Sequence, residues 1–326
     1  MNNVKISRRG FISRAAILTG GLTAGIRFAG AYTQEPPTAG HCRFVFATDS
    51  HLMVNNKLRS EDGLVAAISA IEYLTPKPDF VLFGGDLTHE SPELDIPGAE
   101  ELIGRFLKIW RDQTGLPTYF TFGNHDLVGT KNATVDRADP RFGKGLFKIK
   151  LSLDRDFYTF RRNGWRFIVL DDVVPEPDGS YIGEFAQDQL AFLHDELTAD
   201  PGTPTILCGH IPSVSVLPNL TVIGETKDSG TNIETPASLV VHNTAKLHSV
   251  IADTKANVKA VFAGHLHHLE QIQVDGISYI TSGAICGNWW KGEQNGCPEG
   301  FLVVDLSDEG NVLANYHSFG WKAATS

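Results

Sequence analysis

Five short blocks of metal-type ligands, each at the end of an apolar run, constrain this chain more than any other feature. Asp49 and His51 close Phe46-Ala47-Thr48-Asp49-Ser50-His51, and Asp86 closes Phe83-Gly84-Gly85-Asp86. Asn124, His125 and Asp126 stand in Gly123-Asn124-His125-Asp126, and His210 closes Cys208-Gly209-His210. His265 and His267 complete Ala263-Gly264-His265-Leu266-His267. A lone histidine at a strand end is ordinarily a satisfied, non-ligating residue. A series of such blocks reads differently. In open α/β sheets, sites form outside the carboxyl ends of the strands, so parallel neighbours would bring all of these groups to one rim. Two ligands at i and i+2 on an extended segment point the same way, so Asp49 with His51, and His265 with His267, can each face one centre, or one residue of each pair can face each of two. The glycines beside the ligands permit sharp turns and close backbone approach.

The rest of the pattern agrees with that placement. The runs Arg43–Thr48, Phe80–Gly84, Thr118–Phe122, Phe157–Arg161, Arg166–Leu170, Thr205–Cys208, Val258–Ala263, Ser278–Thr281 and Phe301–Asp305 read as strands. Most lack polar alternation, as expected of strands covered on both faces by other layers. Helical periodicity occupies Glu61–Leu74, Gly98–Gln113, Phe185–Leu197 and Thr244–Asp253. In the first of these, Leu64, Ala67, Ile68 and Ile71 form one apolar face, and Pro76 and Pro78 end it. Strands alternating with helices predict an α/β fold. Gly129–Gly145 and Ile211–Val240 lack clear periodicity and read as long, functional or mobile loops. The chain reads as one domain from about residue 40 to residue 326.

Leaving His125 and Asp126 aside, the blocks hold two Asp, one Asn and four His. A tetrahedral ion takes at most four protein ligands, so this set suits two ions sharing a carboxylate. Mixed imidazole and carboxylate donors fit Zn, Fe or Mn. Two ions about 3.5–4 Å apart clamp an in-line displacement at phosphorus, with a hydroxide held between them as the attacking group. A mononuclear metallohydrolase is the alternative, and it leaves several of these residues idle.

In order and type, the blocks Asp-x-His, Gly-Asp, Gly-Asn-His-Asp, Gly-His and Gly-His-x-His resemble the calcineurin-like metallophosphoesterase family. They run from Asp49 to His267, over most of the chain. The resemblance implies a metal-dependent phosphoesterase on a four-layer α/β/β/α sandwich with two mixed sheets. Position by position, it implies that Asp49, His51 and His267 bind a first metal and that Asp86 bridges. It implies that Asn124, His210 and His265 bind a second metal. His125 matches the residue that contacts the substrate phosphate and protonates the leaving oxygen, and Asp126 matches its orienting partner. The purple acid phosphatase branch places a tyrosine three residues after the bridging aspartate, where this chain has His89. His89 therefore either lines the substrate pocket or sits in an exposed loop. A non-catalytic binding module on the same fold is a further alternative, although no ligand is missing.

The remaining features bear on location and substrate. Ser7-Arg8-Arg9-Gly10-Phe11-Ile12 resembles the twin-arginine export motif. A Gly- and Ala-rich apolar stretch follows to about Ala29, and Ala29-Gly30-Ala31 suits cleavage. Residues 1–31 thus read as a signal peptide, which implies the export machinery as a partner and a periplasmic or secreted mature protein. The run is short for a retained membrane anchor, and no later segment is apolar enough to span a bilayer. The formal charge is −10; without the five basic residues of the first 31, the balance is 23 basic against 38 acidic, or −15. Such a surface disfavours nucleic-acid polymers and anionic membranes, leaving a small phosphoester as the expected substrate.

Export permits disulfides among Cys42, Cys208, Cys286 and Cys297, and the loop between Cys286 and Cys297 makes these two the favoured pair; the alternative is that all four are free. Asn288, Trp289 and Trp290 either pack over the sheet edge or, through Asn288 and Trp289, meet the substrate. Asp171 and Asp172 read as turn or helix-capping residues, having no place in the family pattern.

Overall fold

Alternation along the first strand sets the layering. In a computed structural model, residues 42–220, 227–228, 230 and 233–323 are described, so the export-type segment at 1–31 lies outside the described residues. Strand β1 (Cys42–Ala47) sends Phe44 and Phe46 to one side and Val45 and Ala47 to the other, as the two-residue period of a strand requires. Both sides are buried.

Beyond β1, the strands are β2 (Phe80–Phe83), β3 (Thr118–Phe120), β4 (Tyr158–Arg162), β5 (Trp165–Val169), β6 (Val173–Pro175), β7 (Tyr181–Gly183) and β8 (Thr205–Cys208). They continue with β9 (Lys227–Asp228), β10 (Ile233–Glu234), β11 (Val258–Ala263), β12 (Glu270–Val274), β13 (Ile277–Thr281), β14 (Gly300–Leu306) and β15 (Val312–Ser318). The helices are α1 (Ser60–Glu72), α2 (Ile96–Gln113), α3 (Gly145–Leu151), α4 (Gln187–Ala199) and α5 (Thr244–Thr254).

Two large mixed sheets result. One has the order β15-β14-β1-β2-β3, with β1, β2 and β3 parallel, β14 antiparallel to β1 and β15 antiparallel to β14. The other has the order β12-β13-β11-β8-β5-β4, in which β13, β11, β8 and β5 are parallel. Its edge strands β12 and β4 run antiparallel. Small ribbons β6-β7 and β9-β10 lie outside these sheets.

Phe44, Phe46, Phe80 and Leu82 of the first sheet pack against Phe167, Ile206 and Phe262 of the second, forming the middle of the sandwich. The opposite faces are closed by helices. Val45, Val81 and Phe83 meet Leu64, Ile68, Ile71, Ile103 and Phe106 of α1 and α2. Ile168, Leu207 and Val261 meet Leu190, Leu193, Leu247 and Ile251 of α4 and α5. This is an α/β/β/α arrangement, and the apolar face read for the first helix is the buried one. Asp95 caps α2 by accepting a hydrogen bond from the Gly98 N–H at 2.9 Å.

Several features differ from the sequence reading, the short ribbons β6-β7 and β9-β10 among them. Strands β12 and β15 were not expected, because both are edge strands whose alternation is partly polar rather than continuously apolar. The stretch Gly129–Gly145 leads into a short helix, α3, which has too few turns to show a period. The expected Cys286–Cys297 disulfide is absent: all four cysteines are free and buried. Each packs where it lies, Cys286 with its sulfur 3.9 Å from His267 Nδ1 and Cys297 within the inter-sheet core.

Gly63 on α1 lies directly beneath Trp290, and a Cβ there would sit 2.1 Å from the Trp290 ring. In an exposed helix, Gly→Ala gains about 1 kcal/mol. Gly63→Ala is expected to reverse that sign and destabilise by about 1–3 kcal/mol through overpacking, as read by urea unfolding. Stabilisation would show that Trp290 is free to move aside.

Candidate metal centre

The parallel strands of both sheets deliver their ligand blocks to one rim. At the end of β1, the chain does not continue extended. Asp49 (φ 55°) and His51 (φ 41°) are left-handed, and so are Asp86 (φ 55°), His265 (φ 70°) and His267 (φ 55°). The pairs Asp49/His51 and His265/His267 therefore do not reach one centre as alternate residues of an extended segment. They converge because left-handed residues alternate with ordinary ones. The turns are held by backbone hydrogen bonds: Asp49 N–H donates to Gly85 O at 3.0 Å and His51 N–H to Asp86 O at 3.1 Å. Non-glycine residues in this region carry strain of order 1–3 kcal/mol each, and such residues concentrate at functional sites.

The donors form overlapping groups. Asp49, His51 and Asp86 make one, and Asp86, His210 and His265 another, with the donor atoms of each group within 4.8 Å of one another. His267 joins the first, its Nε2 lying 3.2 Å from His51 Nε2 and 3.4 Å from Asp49 Oδ1. Asn124 joins the second, its Oδ1 lying 3.1 Å from His210 Nε2. Asp86 is the shared member: its Oδ2 lies 3.4 Å from both His51 Nε2 and His210 Nε2. Asp49, His51, Asp86, His210 and His267 are almost wholly buried.

Backbone carbonyls fix the ring orientations. His210 Nδ1 lies 2.7 Å from Gly84 O, His267 Nδ1 lies 2.6 Å from Gly287 O, and His265 Nε2 lies 2.8 Å from Ser238 O. A carbonyl can only accept, so each of these nitrogens carries the proton. In the neutral ring, the other nitrogen then turns a lone pair toward the oxygen lone pairs of Asp86, Asn124 or Asp49. Lone pairs gathered this closely in a dry site demand positive charge between them. Imidazole and carboxylate donors with the second ring nitrogen held by a carbonyl fit transition-metal ions.

Without ions, protons supply that charge. Burial opposes charging His210, but the adjacent Asp86, with Asp49, overrides it and raises the pKa to about 10. For His267, burial is likewise overridden by the Cys286 sulfur and Asp49, and the pKa lies well above the usual range. Burial works against the carboxylates as well, yet His210 holds Asp86 well below its ordinary value and His267 holds Asp49 low. Burial leads the depression of His51, and of His265 to about 4, so both stay neutral near pH 7.

The other expected site residues are placed as follows. His125 N–H donates to Asp86 Oδ1 at 2.7 Å, and its ring lies 4.7 Å from that of His51. Its Nδ1 lies 2.6 Å from His89 O, so that carbonyl orients the ring. The Asp126 carboxylate is committed elsewhere: it accepts from the N–H groups of Asp86, Leu87 and Gly123 at 2.9–3.0 Å. It shapes the loop that carries Asp86 instead of partnering the His125 ring. His89 is partly buried; its Nδ1 lies 3.2 Å from His51 Nδ1, and its ring stacks on His125 at 4.9 Å. Trp289 stands 4.8 Å from the His267 ring and 6.1 Å from His51 while also packing on the helix-side core. Asn288 serves the turn backbone, donating to Gly292 O and accepting from Lys291 N–H. The orienting carbonyls of Gly84, Ser238, Gly287 and His89 carry no side-chain signature that a sequence could show. Asp172, read as a turn residue, accepts N–H bonds from His210 and Ile211.

Metal ligation requires neutral imidazoles, so ions entering these donor groups would displace the protons of His210 and His267. Titrating metal-free protein with Zn or Mn at pH 7 is expected to release about two protons per chain, measured by calorimetry in buffers of different ionisation enthalpy. Binding without proton release would show that these rings are neutral beforehand.

Residues 42–269 match the Calcineurin-like phosphoesterase family. A cAMP/cGMP dual specificity phosphodiesterase of Mycobacterium tuberculosis is 27% identical over 73% of this chain. That match spans 66% of the relative's length, just under two thirds. A 3',5'-cyclic-nucleotide phosphodiesterase of a Nostoc species is 25% identical over 73% of this chain and 76% of its own. The serine/threonine-protein phosphatase CPPED1 of Danio rerio is 26% identical over 77% of this chain and 72% of its own. Among solved structures, a dimetal phosphatase from Danio rerio superimposes with a TM-score of 0.57, at 15% identity. It covers 88% of this chain and 98% of that one, a likeness of fold. With its ligand blocks gathered at one rim of this sandwich, the chain belongs to the calcineurin-like phosphoesterase family.

Proposed function

We propose that this chain is an exported phosphodiesterase holding two transition-metal ions, Mn, Fe or Zn, in the two donor groups. The observation that carries this reading is Asp86, whose Oδ2 stands equally close to His51 and His210 and so joins both groups. On this reading, Asp49, His51 and His267 hold one ion and Asn124, His210 and His265 the other. When bound, such ions lower the pKa of water and neutralise charge on a phosphoryl group. His125, with its Nδ1 proton committed to the His89 carbonyl, has Nε2 left for the leaving oxygen, to which the imidazolium form of the ring would give its Nε2 proton. His89 orients both His51 and His125, and Trp289 supplies an aromatic wall beside the first ion's ligands.

A diester is favoured because that wall suits a second organic group, and because relatives named as cyclic nucleotide phosphodiesterases match most of the described chain. A monoester is the second reading, prompted by the CPPED1 relatives. The mature protein, reconstituted with Mn, Zn or Fe, is expected to hydrolyse an aryl phosphate diester faster than the matched monoester. The reverse ratio would favour the monoester reading, and no turnover with any metal would overturn both. In the same assay, Asp86→Ala is expected to lose both ions. His125→Ala is expected to keep them while turnover falls by roughly 10²–10⁴-fold.

Export rests on the basic, apolar and small-residue order of residues 1–31. Replacing both Arg8 and Arg9 with Lys is expected to leave the full chain in the cytoplasmic fraction. Unchanged periplasmic yield would reject the twin-arginine route.

A further inference from the structure

We infer that Asp172 is a positioning residue for the metal site formed by Asn124, His210 and His265. It presents His210 by binding the backbone of the turn that carries it. The inference rests on reading the donor groups as a two-ion site.

Strands β5 and β8 are parallel neighbours, and their ladder stops at Val169 and Cys208. One further bond, from Leu170 N–H to Cys208 O at 2.7 Å, closes it. The N–H groups of His210 and Ile211 then lie beyond the last rung. Asp172, 1% exposed, reaches across from the end of β5 and takes both. His210 N–H lies 3.1 and 3.0 Å from its two oxygens, and Ile211 N–H lies 3.1 Å from Oδ1. At Gly209, a Cβ would lie 2.1 Å from Asp172 Oδ2, so the carboxylate occupies the space of the missing side chain.

Asp172 caps no helix and closes no local turn with its side chain. Its neighbour does that work: Asp171 pairs with Lys144 and accepts from Val173 N–H. The Asp172 carboxylate is spent on the ligand turn. With the His210 backbone fixed from its own sheet and its Nδ1 held by Gly84 O of the other sheet, Nε2 has one direction left, toward Asp86 and Asn124. Asp126 does the same in the first sheet, holding the turn of Asp86 through the N–H groups of Asp86 and Leu87 and tying it to Gly123 N–H, beside Asn124. Each sheet thus contributes one buried carboxylate that binds no ion on this reading and instead shapes a ligand turn.

The test compares native full-length protein with Asp172→Asn and Asp172→Ala, using Mn(II) as the probe. Stoichiometry and affinity come from equilibrium dialysis, and the pairing of the ions from electron paramagnetic resonance. The asparagine is isosteric and fits against Gly209, so it guards against a folding failure of the alanine variant. The expected result is one ion bound within twofold of native affinity and the other weakened by roughly 10–100-fold, the usual effect of losing an outer-shell partner. The resonance should change from a coupled pair to an isolated ion at concentrations that load the native protein fully. Two ions bound as in the native protein would overturn the inference. Equal weakening of both ions together with a lowered melting temperature would also overturn it, since that is the mark of general destabilisation. Native protein that fails to bind two ions would sink the two-ion reading itself and this inference with it.

Discussion

The convergence of lone pairs around Asp86 is the constraint on which the rest of the structure depends. Its Oδ2 faces two imidazole nitrogens at 3.4 Å, in a site with almost no water contact. Such a cluster repels itself unless cations or protons enter it, and in a low-dielectric setting that repulsion is barely screened. A self-repelling cluster holds its shape only if every member is clamped from behind. The backbone of this protein provides the clamps. Gly84, Gly287 and Ser238 each present a carbonyl to the outer nitrogen of a ligand histidine, while Asp126 and Asp172 bind the N–H groups of the turns.

The sandwich makes this possible because its parallel strands end together. β1, β2 and β3 bring Asp49, His51, Asp86 and Asn124 from one sheet; β8 and β11 bring His210, His265 and His267 from the other. Several contacts cross between the sheets at the rim. His210 of the second sheet rests on Gly84 of the first, and Asp49 of the first accepts the His265 N–H of the second at 3.0 Å. The candidate metal site is therefore built across the same junction that the inter-sheet core fills. Phenylalanines hold the sheets face to face below, and polar ligands lock their ends above.

Much of this was legible in the sequence, and the part that was not has a physical cause. That Asp49, His51, Asp86, Asn124, His210, His265 and His267 would gather at one rim was legible because each follows a strand with a clear apolar signal and carries a donor-type side chain. The layered fold was legible because doubly buried strands such as Phe80–Phe83 leave no polar residue to blur the run. Edge strands β12 and β15 escaped notice because one side of an edge strand faces water and admits polar residues. Asp126 was misassigned as the His125 partner because residue type alone does not tell a carboxylate that binds a ring from one that binds three backbone N–H groups. The expected Cys286–Cys297 bridge failed for a related reason. Spacing in a loop suggested proximity, but burial gave both thiols packing roles, one of them against a ligand histidine.

The left-handed ligands tie these observations together. Asp49, His51, Asp86, His265 and His267 occupy a region that side-chain-bearing residues ordinarily avoid. A chain free to relax would leave it, because no local preference holds it there. The backbone bonds from Asp49 and His51 to the Gly85–Asp86 segment prevent that relaxation, and the carboxylate of Asp126 fixes the same segment from the other side. The strain is thus borne by the hydrogen-bonded rim as a whole, not by single residues. Loss of one clamp should accordingly disturb a ligand's aim before it disturbs the fold, because the two sheets remain joined by the phenylalanine core beneath.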